Sequence, residues 1–173
     1  MTTTNGGNQM NELDIVQSQD GLKHIRIGVK GMTKLGRLLA NTSHLSFTVA
    51  GHSGEFRTME NWWIYVRGGC KDHTVCQASA SRLPKLAIRT MMDPYPSKAF
   101  RRLIMEGMRA KIAQHAELED LLVMSGSLPF VRYNVEQTPY GPEVDLITEQ
   151  PWFIRELALI RKGLIHERSA ATA

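Results

Sequence analysis

The chain has 173 residues, 42% of them hydrophobic and 22% charged, a composition that excludes a disordered or fibrous chain and suits one globular domain with a sizeable core. With 21 Lys plus Arg against 17 Asp plus Glu, the formal charge of +4 admits a polyanionic partner without demanding one. No apolar run approaches the roughly 18 to 20 residues of a membrane crossing and the start, MTTTNGGNQM, does not read as a signal peptide, so a cytoplasmic protein with no membrane partner is expected.

Residues 1–10, rich in Thr, Asn and Gly, predict a disordered lead-in, followed by a single domain over 11–168 and a frayed tail at 169–173. Alternating segments at 24–29 and 45–49 predict short strands, and 55–57 returns as another after the turn residues Gly51, Ser53 and Gly54. Thr58 is placed to cap a helix over 59–66, which Gly68 and Gly69 stop. The Ala, Leu and Met content of 78–92 predicts one or two short helices interrupted at Pro84, and the two prolines within 93–96 demand a loop.

Ser97 then caps the clearest element, a helix over 97–115 with Phe100, Leu103, Ile104, Met108 and Ile112 at spacings of three and four. Its outer face is read as basic, carrying Arg101, Arg102, Arg109 and Lys111. Residues 116–124 form a second helix that buries Leu118, Leu121 and Leu122, and 130–133 is a short strand or extended piece before a loop containing Pro139, Gly141 and Pro142. Pro151 opens the last helix, with Trp152, Phe153, Leu157, Ile160 and Leu164 inward. The expected fold class is mainly α, with a small antiparallel β element near the N-terminus.

Phosphate-cradling P-loops, dinucleotide glycine fingerprints, HExxH and GxSxG are all absent from the sequence. Cys70 and Cys76 flank His73 at a spacing that matches no zinc module, so reduced thiols are expected, with no metal and no cofactor. The unusual stretch is FRTMENWWIYV at 56–66, where Glu60 precedes Trp62, Trp63 and Tyr65. A carboxylate among aromatic rings suits nucleotide chemistry, since rings stack on a base while a partly desolvated Glu acts on a sugar. An ordinary amphipathic helix with one core tryptophan explains the same letters.

The block LIMEGMRAKIAQHAELEDLLVMSG at 103–126 resembles the characteristic stretch of the NADAR (YbiA-like) family, and FRTMENWW resembles that family's glutamate-bearing phrase. Over roughly residues 35–165, Tyr140, Gly141, Pro142 and Glu143 resemble its W-G-D segment and 151–164 its terminal helix. Pro142 stands where that family has an acid, leaving Glu143 or Asp145 as substitutes, Tyr95 is the nearest counterpart of a family tryptophan, and Arg67 replaces a lysine. An arginine stays protonated and cannot form an imine, so a covalent amine route would need another lysine, such as Lys71 or Lys111.

The resemblance implies hydrolysis of an N-glycosidic bond, in ADP-ribose attached to guanine, on nucleic acid or free, or in ribosylamino phosphates. Glu60 would be catalytic, stabilising an oxocarbenium-like transition state and orienting water. Trp63, Tyr95 or Tyr140 would stack on the base, with Gly141 and Glu143 nearby, and Arg57, Arg67 or Lys71 would bind phosphate. Two other classes stay open: a catalytically silent nucleotide or ADP-ribose binder, and a basic nucleic-acid-associated protein without a small-molecule site.

Overall fold

A computed structural model describes residues 17–89, 97–139, 141–147 and 150–172. In chain order it contains β1 (Ile25–Arg26), α1 (Lys34–Leu38), β2 (Phe47–Thr48), β3 (Glu55–Phe56), α2 (Met59–Arg67), α3 (Leu83–Arg89), α4 (Lys98–Ala113), α5 (Ala116–Met124), β4 (Phe130–Val131), β5 (Tyr133–Thr138), β6 (Gly141–Leu146) and α6 (Pro151–Ala171). Short 3₁₀ turns at Gln17–Gln19 and His73–Val75 complete the described elements. The fold is mainly α, as its helical periodicities predict. Among the described residues, no helix is long and apolar enough to cross a membrane.

The core is helical. Ile104, Met108 and Ile112 of α4 pack with Leu118 and Leu122 of α5 and Leu157 of α6, all fully or almost fully buried, while Phe100 sits at the edge, partly exposed. From α2, Met59, Trp62 and Tyr65 enter the same core against Phe47 of β2 and Phe56 of β3. Trp62 is enclosed, edge-on to Phe56 at a centroid distance of 4.8 Å and to His52 at 5.0 Å. Its Nε1–H donates to the Leu103 carbonyl of α4 at 2.9 Å, a bond made by bringing α2 onto Gly107, which has no side chain to hold it away. Cys70 and Cys76 are unpaired thiols near the end of α2 and beside the second turn.

Several elements differ from the sequence reading. Lys111 does not lie on a solvated basic face: it is fully buried, and its Nζ donates to the Leu38 carbonyl at 2.7 Å and the Ser43 hydroxyl at 2.6 Å. Position 111 follows Ile104 and Met108 on the inner stripe of α4, and the Leu38 carbonyl at the end of α1 and the Ser43 hydroxyl beyond it satisfy the amine where helical phase carries it. Pro84 does not interrupt a helix but lies in the first turn of α3, where its missing N–H costs nothing. Helix α1, capped by Thr33, carries no long periodic stretch to betray it. Helix α6 runs to Ala171, into the tail at 169–173.

The β structure is more extensive than predicted. The expected antiparallel pair is β2 with β3, Phe47 opposite Phe56. In addition β1 pairs in parallel with β4, Ile25 opposite Phe130, and the segment read as a loop around Pro142 is a six-pair hairpin of β5 and β6 running from Tyr133–Leu146 to Thr138–Gly141. A proline is admissible on such an edge, because its nitrogen faces away from the ladder. Behind the hairpin a second, smaller core gathers Val131, Tyr133, Val135, Val144 and Leu146. The predicted lead-in at 1–10 lies outside the described residues.

Candidate functional site

Helix α2 begins where Thr58 Oγ1 accepts from the Asn61 backbone N–H at 3.2 Å and donates to Asn61 Oδ1 at 2.6 Å. The Asn61 amide in turn donates to the Val75 and Ala78 carbonyls at 2.7 and 3.0 Å, so the start of the helix is tied to the chain that follows it. The Glu60 backbone N–H donates to the Asn41 carbonyl at 2.8 Å. Glu60 is thus held at the second helical position by bonds on both sides.

With Trp62 and Tyr65 turned into the core, the helical period brings Glu60, Trp63 and Arg67 onto a neighbouring, half-buried face. Trp63 meets the aromatic side chains of α4 and α6: Phe100 at 5.5 Å, Trp152 at 5.9 Å and 30° between planes, and Phe153 at 6.2 Å. The Arg101 guanidinium lies over the Trp152 ring at 5.5 Å. Trp152 is itself 6% exposed, and its Nε1–H is buried with no hydrogen-bond partner among the described residues. Such an orphaned donor is uncommon in a folded protein.

Burial raises the Glu60 carboxyl above its ordinary pKa, against the opposing pull of Arg132 and then Arg67. Desolvation therefore outweighs the two guanidinium groups. A carboxyl raised in this way gives up its proton less readily than an exposed one, although two cationic side chains act on it.

Arg132 is a member of this group that the sequence reading missed. It lies between β4 and β5, where Val131 and Tyr133 face the smaller core and Phe130 the helical core; alternation puts Arg132 on the Phe130 side, and its charge acts on Glu60. Its only signal in sequence is one charged residue inside the otherwise apolar and aromatic run Phe130, Val131, Tyr133. Neither Arg132 nor Arg67 forms a hydrogen bond through its guanidinium, or an ion pair within 4.0 Å, among the described residues.

The remaining candidates separate. Arg57, half-buried, donates through Nε to His44 Nδ1 at 3.3 Å and is not among the charges acting on Glu60. Glu143 is exposed on β6, opposite Glu136, whereas Asp145 is opposite Asn134 and so one pair nearer to Arg132 on the same face of the hairpin. Tyr95 and Tyr140 lie outside the described residues, and Gly141 is placed as the first residue of β6. Enclosure of Lys111 removes it as an accessible amine, leaving exposed Lys71 of the two lysines considered. Among the described residues, no group of three or more His, Cys, Asp or Glu is arranged to hold a metal ion.

A separate groove of about 400 Å³ runs between α4 and α6, lined by Ile112, Ile160 and Leu164 with Arg109 and Glu156 at its rim. Those two charges face each other at 4.0 Å.

No family model matches the chain, and no curated protein matches it. Among solved structures it is similar to the NMR structure of the E. coli protein YbiA, with a TM-score of 0.52 and 14% sequence identity, over 91% of this chain and 95% of that one. At that identity the likeness is one of fold.

Proposed function

We propose that a YbiA-like fold with a half-buried glutamate, acted on by two arginines whose guanidinium groups have no hydrogen bond or ion pair among the described residues, serves here as an N-glycosidase, hydrolysing a ribosyl C1'–N bond. The substrates that fit are guanine-linked ADP-ribose, free or on DNA, and ribosylamino phosphates. The observation that carries the reading is Glu60: a carboxyl raised by burial, at the start of a helix, with cations nearby but not in contact. As the C1'–N bond breaks, its electron pair leaves with the nitrogen and positive charge grows on the ribose ring. An ionised Glu60 stabilises that charge and orients a water, whose oxygen bonds to C1' and whose proton goes to the carboxylate and then to the departing nitrogen. Trp63, half-buried among Phe100, Trp152 and Phe153, offers a ring for the base.

A second reading, a silent nucleotide or ADP-ribose binder, is favoured by Arg67 and Pro142, which stand where the resembled family has a lysine and an acid. Incubation with ADP-ribosylated guanosine, ADP-ribosylated DNA and ribosylamino phosphates, for the wild type beside Glu60→Gln, separates the two. Turnover by the wild type, lost in Glu60→Gln, is the expected result; turnover that survives the substitution would sink the mechanism. Tight binding of ADP-ribose with no turnover of any conjugate establishes the binder instead.

A further inference from the structure

A buried amine is a costly occupant of a core position, because its hydrogen bonds must all be made inside the protein. An apolar side chain of similar volume often serves such a position as well or better. What Lys111 adds to the inner stripe of α4 is donors, and both of its hydrogen bonds among the described residues go to one short stretch of chain. Its Nζ donates to the Leu38 carbonyl and the Ser43 hydroxyl, and Ser43 Oγ donates in turn to that same carbonyl at 2.7 Å. The three groups close a triangle over the residues from 38 to 43.

Two further side chains at the end of α4 act on the same segment. Gln114 Oε1 accepts from the Thr48 N–H at 2.9 Å and its Nε2 donates to the Thr48 carbonyl at 2.8 Å, while His115 Nε2 donates to the Ser46 carbonyl at 2.7 Å. Residues 39–46 form neither helix nor strand, so these side-chain bonds, rather than a backbone ladder, fix where the segment lies.

The segment so held meets the start of α2 in two places. Within the turn that the Ser43 N–H closes onto the Ala40 carbonyl at 3.1 Å, the Asn41 carbonyl accepts the Glu60 N–H at 2.8 Å. Three residues on, His44 Nδ1 accepts from Arg57 Nε at 3.3 Å. The Glu60 N–H is one of the donors that a helix leaves without a partner in its first turn, and the Thr58 cap serves Asn61 instead. The backbone of Glu60 is therefore tied to the turn that Lys111 holds.

We propose that Lys111 is a positioning residue for Glu60: its amine pins the 38–43 turn to α4, so that the Asn41 carbonyl meets the Glu60 N–H and the carboxyl is presented in one place. Its meaning for catalysis rests on the N-glycosidase reading, whereas the positioning itself is measured without turnover. Amide hydrogen exchange is followed by NMR in the full chain and in three variants. Lys111→Met keeps the apolar stem and removes the donors, Ser43→Ala is a milder change that removes only the hydroxyl, and Lys162→Met, exposed on α6, controls for general charge.

In Lys111→Met, exchange at the Glu60 N–H is expected to quicken by about tenfold relative to the Gly68 N–H, the effect of one buried hydrogen bond. Gly68 bonds the Ile64 carbonyl at the far end of α2 and shows whether the helix loosens as a whole. Ser43→Ala should give the same local change, smaller, and Lys162→Met none. On a conjugate that the wild type hydrolyses, kcat of Lys111→Met should fall by about tenfold or more with KM held, as a displaced carboxylate requires.

Equal acceleration at Glu60 and Gly68 would show that Lys111 stabilises the fold without positioning Glu60, and overturns the assignment. So does unchanged Glu60 exchange in folded Lys111→Met, a change that Lys162→Met reproduces, or an unaltered kcat beside the local acceleration. Should Lys111→Met fail to fold, Ser43→Ala decides by the same comparison. Local acceleration with no hydrolysis of any conjugate by the wild type would leave the positioning standing and remove the enzyme; Glu60-dependent hydrolysis with unmoved exchange would do the reverse.

Discussion

Replacing Gly107 with Ala tests the packing that sets α2, and with it Glu60, against α4. In most helices this change stabilises, by about 1 kcal/mol from propensity. Here the new Cβ would lie 2.9 Å from Trp62 Cε2 and closer still to Nε1 and Cδ1. The indole cannot retreat, because it is fully buried among Phe56, His52 and Tyr65. Overpacking of this kind costs about 1–3 kcal/mol, and breaking the Trp62–Leu103 hydrogen bond inside the core about 1–3 kcal/mol more. The net expectation is a loss of about 2–4 kcal/mol, or roughly 5–15 °C in melting temperature for a chain of this size. Gly163→Ala in α6, where a Cβ meets nothing within 4 Å, is the matched control and should stabilise by up to about 1 kcal/mol. Urea and thermal unfolding followed by circular dichroism measure both. Gly107→Ala as stable as the wild type, beside a stabilised Gly163→Ala, would refute the account of how α2 is seated.

Three further outcomes follow from individual residues. Glu60→Gln should reduce glycosidase turnover by about 10²-fold or more yet melt higher than the wild type at pH 7. Because its pKa is raised on folding, ionisation of Glu60 opposes the folded state, and stability falls as pH rises from the ordinary carboxyl range through the folded value; a lower melting temperature for the variant would contradict this. Lys111 is depressed by burial to about 7, so the unfolded chain holds its proton more tightly and stability should climb as pH rises from about 7 toward the ordinary lysine value of 10.5. The difference in unfolding free energy between wild type and Lys111→Met should therefore grow across that window, and a flat difference would show that the amine does not titrate there. Thr58→Ala removes the cap on α2 and should cost about 1 kcal/mol in urea unfolding, with no change meaning that the Glu60–Asn41 backbone bond alone holds the helix start.

The fluorescence of the tryptophans offers a direct view of the site. Trp63 and Trp152 lie on the side of α2 that carries Glu60, whereas Trp62 is sealed from it. Ligand binding that alters only the signal lost in Trp63→Phe would place the base on that face.

The amphipathic helices were legible in the letters because their information is local. Ile104, Met108 and Ile112 repeat at four-residue intervals, Thr58 and Ser97 precede helices they cap, and both caps are present. The short strands of the N-terminal third were legible in part, since alternation marks a strand but does not say what it pairs with. Glu60 stood out in sequence for its aromatic neighbours, and its half-buried position on α2 follows from helical phase once Trp62 and Tyr65 are in the core.

Only tertiary structure could decide the rest. The parallel pairing of β1 with β4 joins segments more than a hundred residues apart, and that pairing fixes Arg132, whose sequence neighbourhood says nothing of Glu60. The six-pair hairpin could not be inferred at Pro142, because the proline is excluded from a ladder only if its nitrogen must donate, and that depends on which side of the strand is paired. Lys111 carries the letter of a solvated residue yet is buried, since the Leu38 carbonyl and Ser43 hydroxyl that satisfy it come from a different part of the chain. Composition, caps and periods thus determined a mainly helical protein with a conspicuous glutamate. Which cations surround that glutamate, and how far burial raises its pKa, depend on long-range packing that no local pattern encodes.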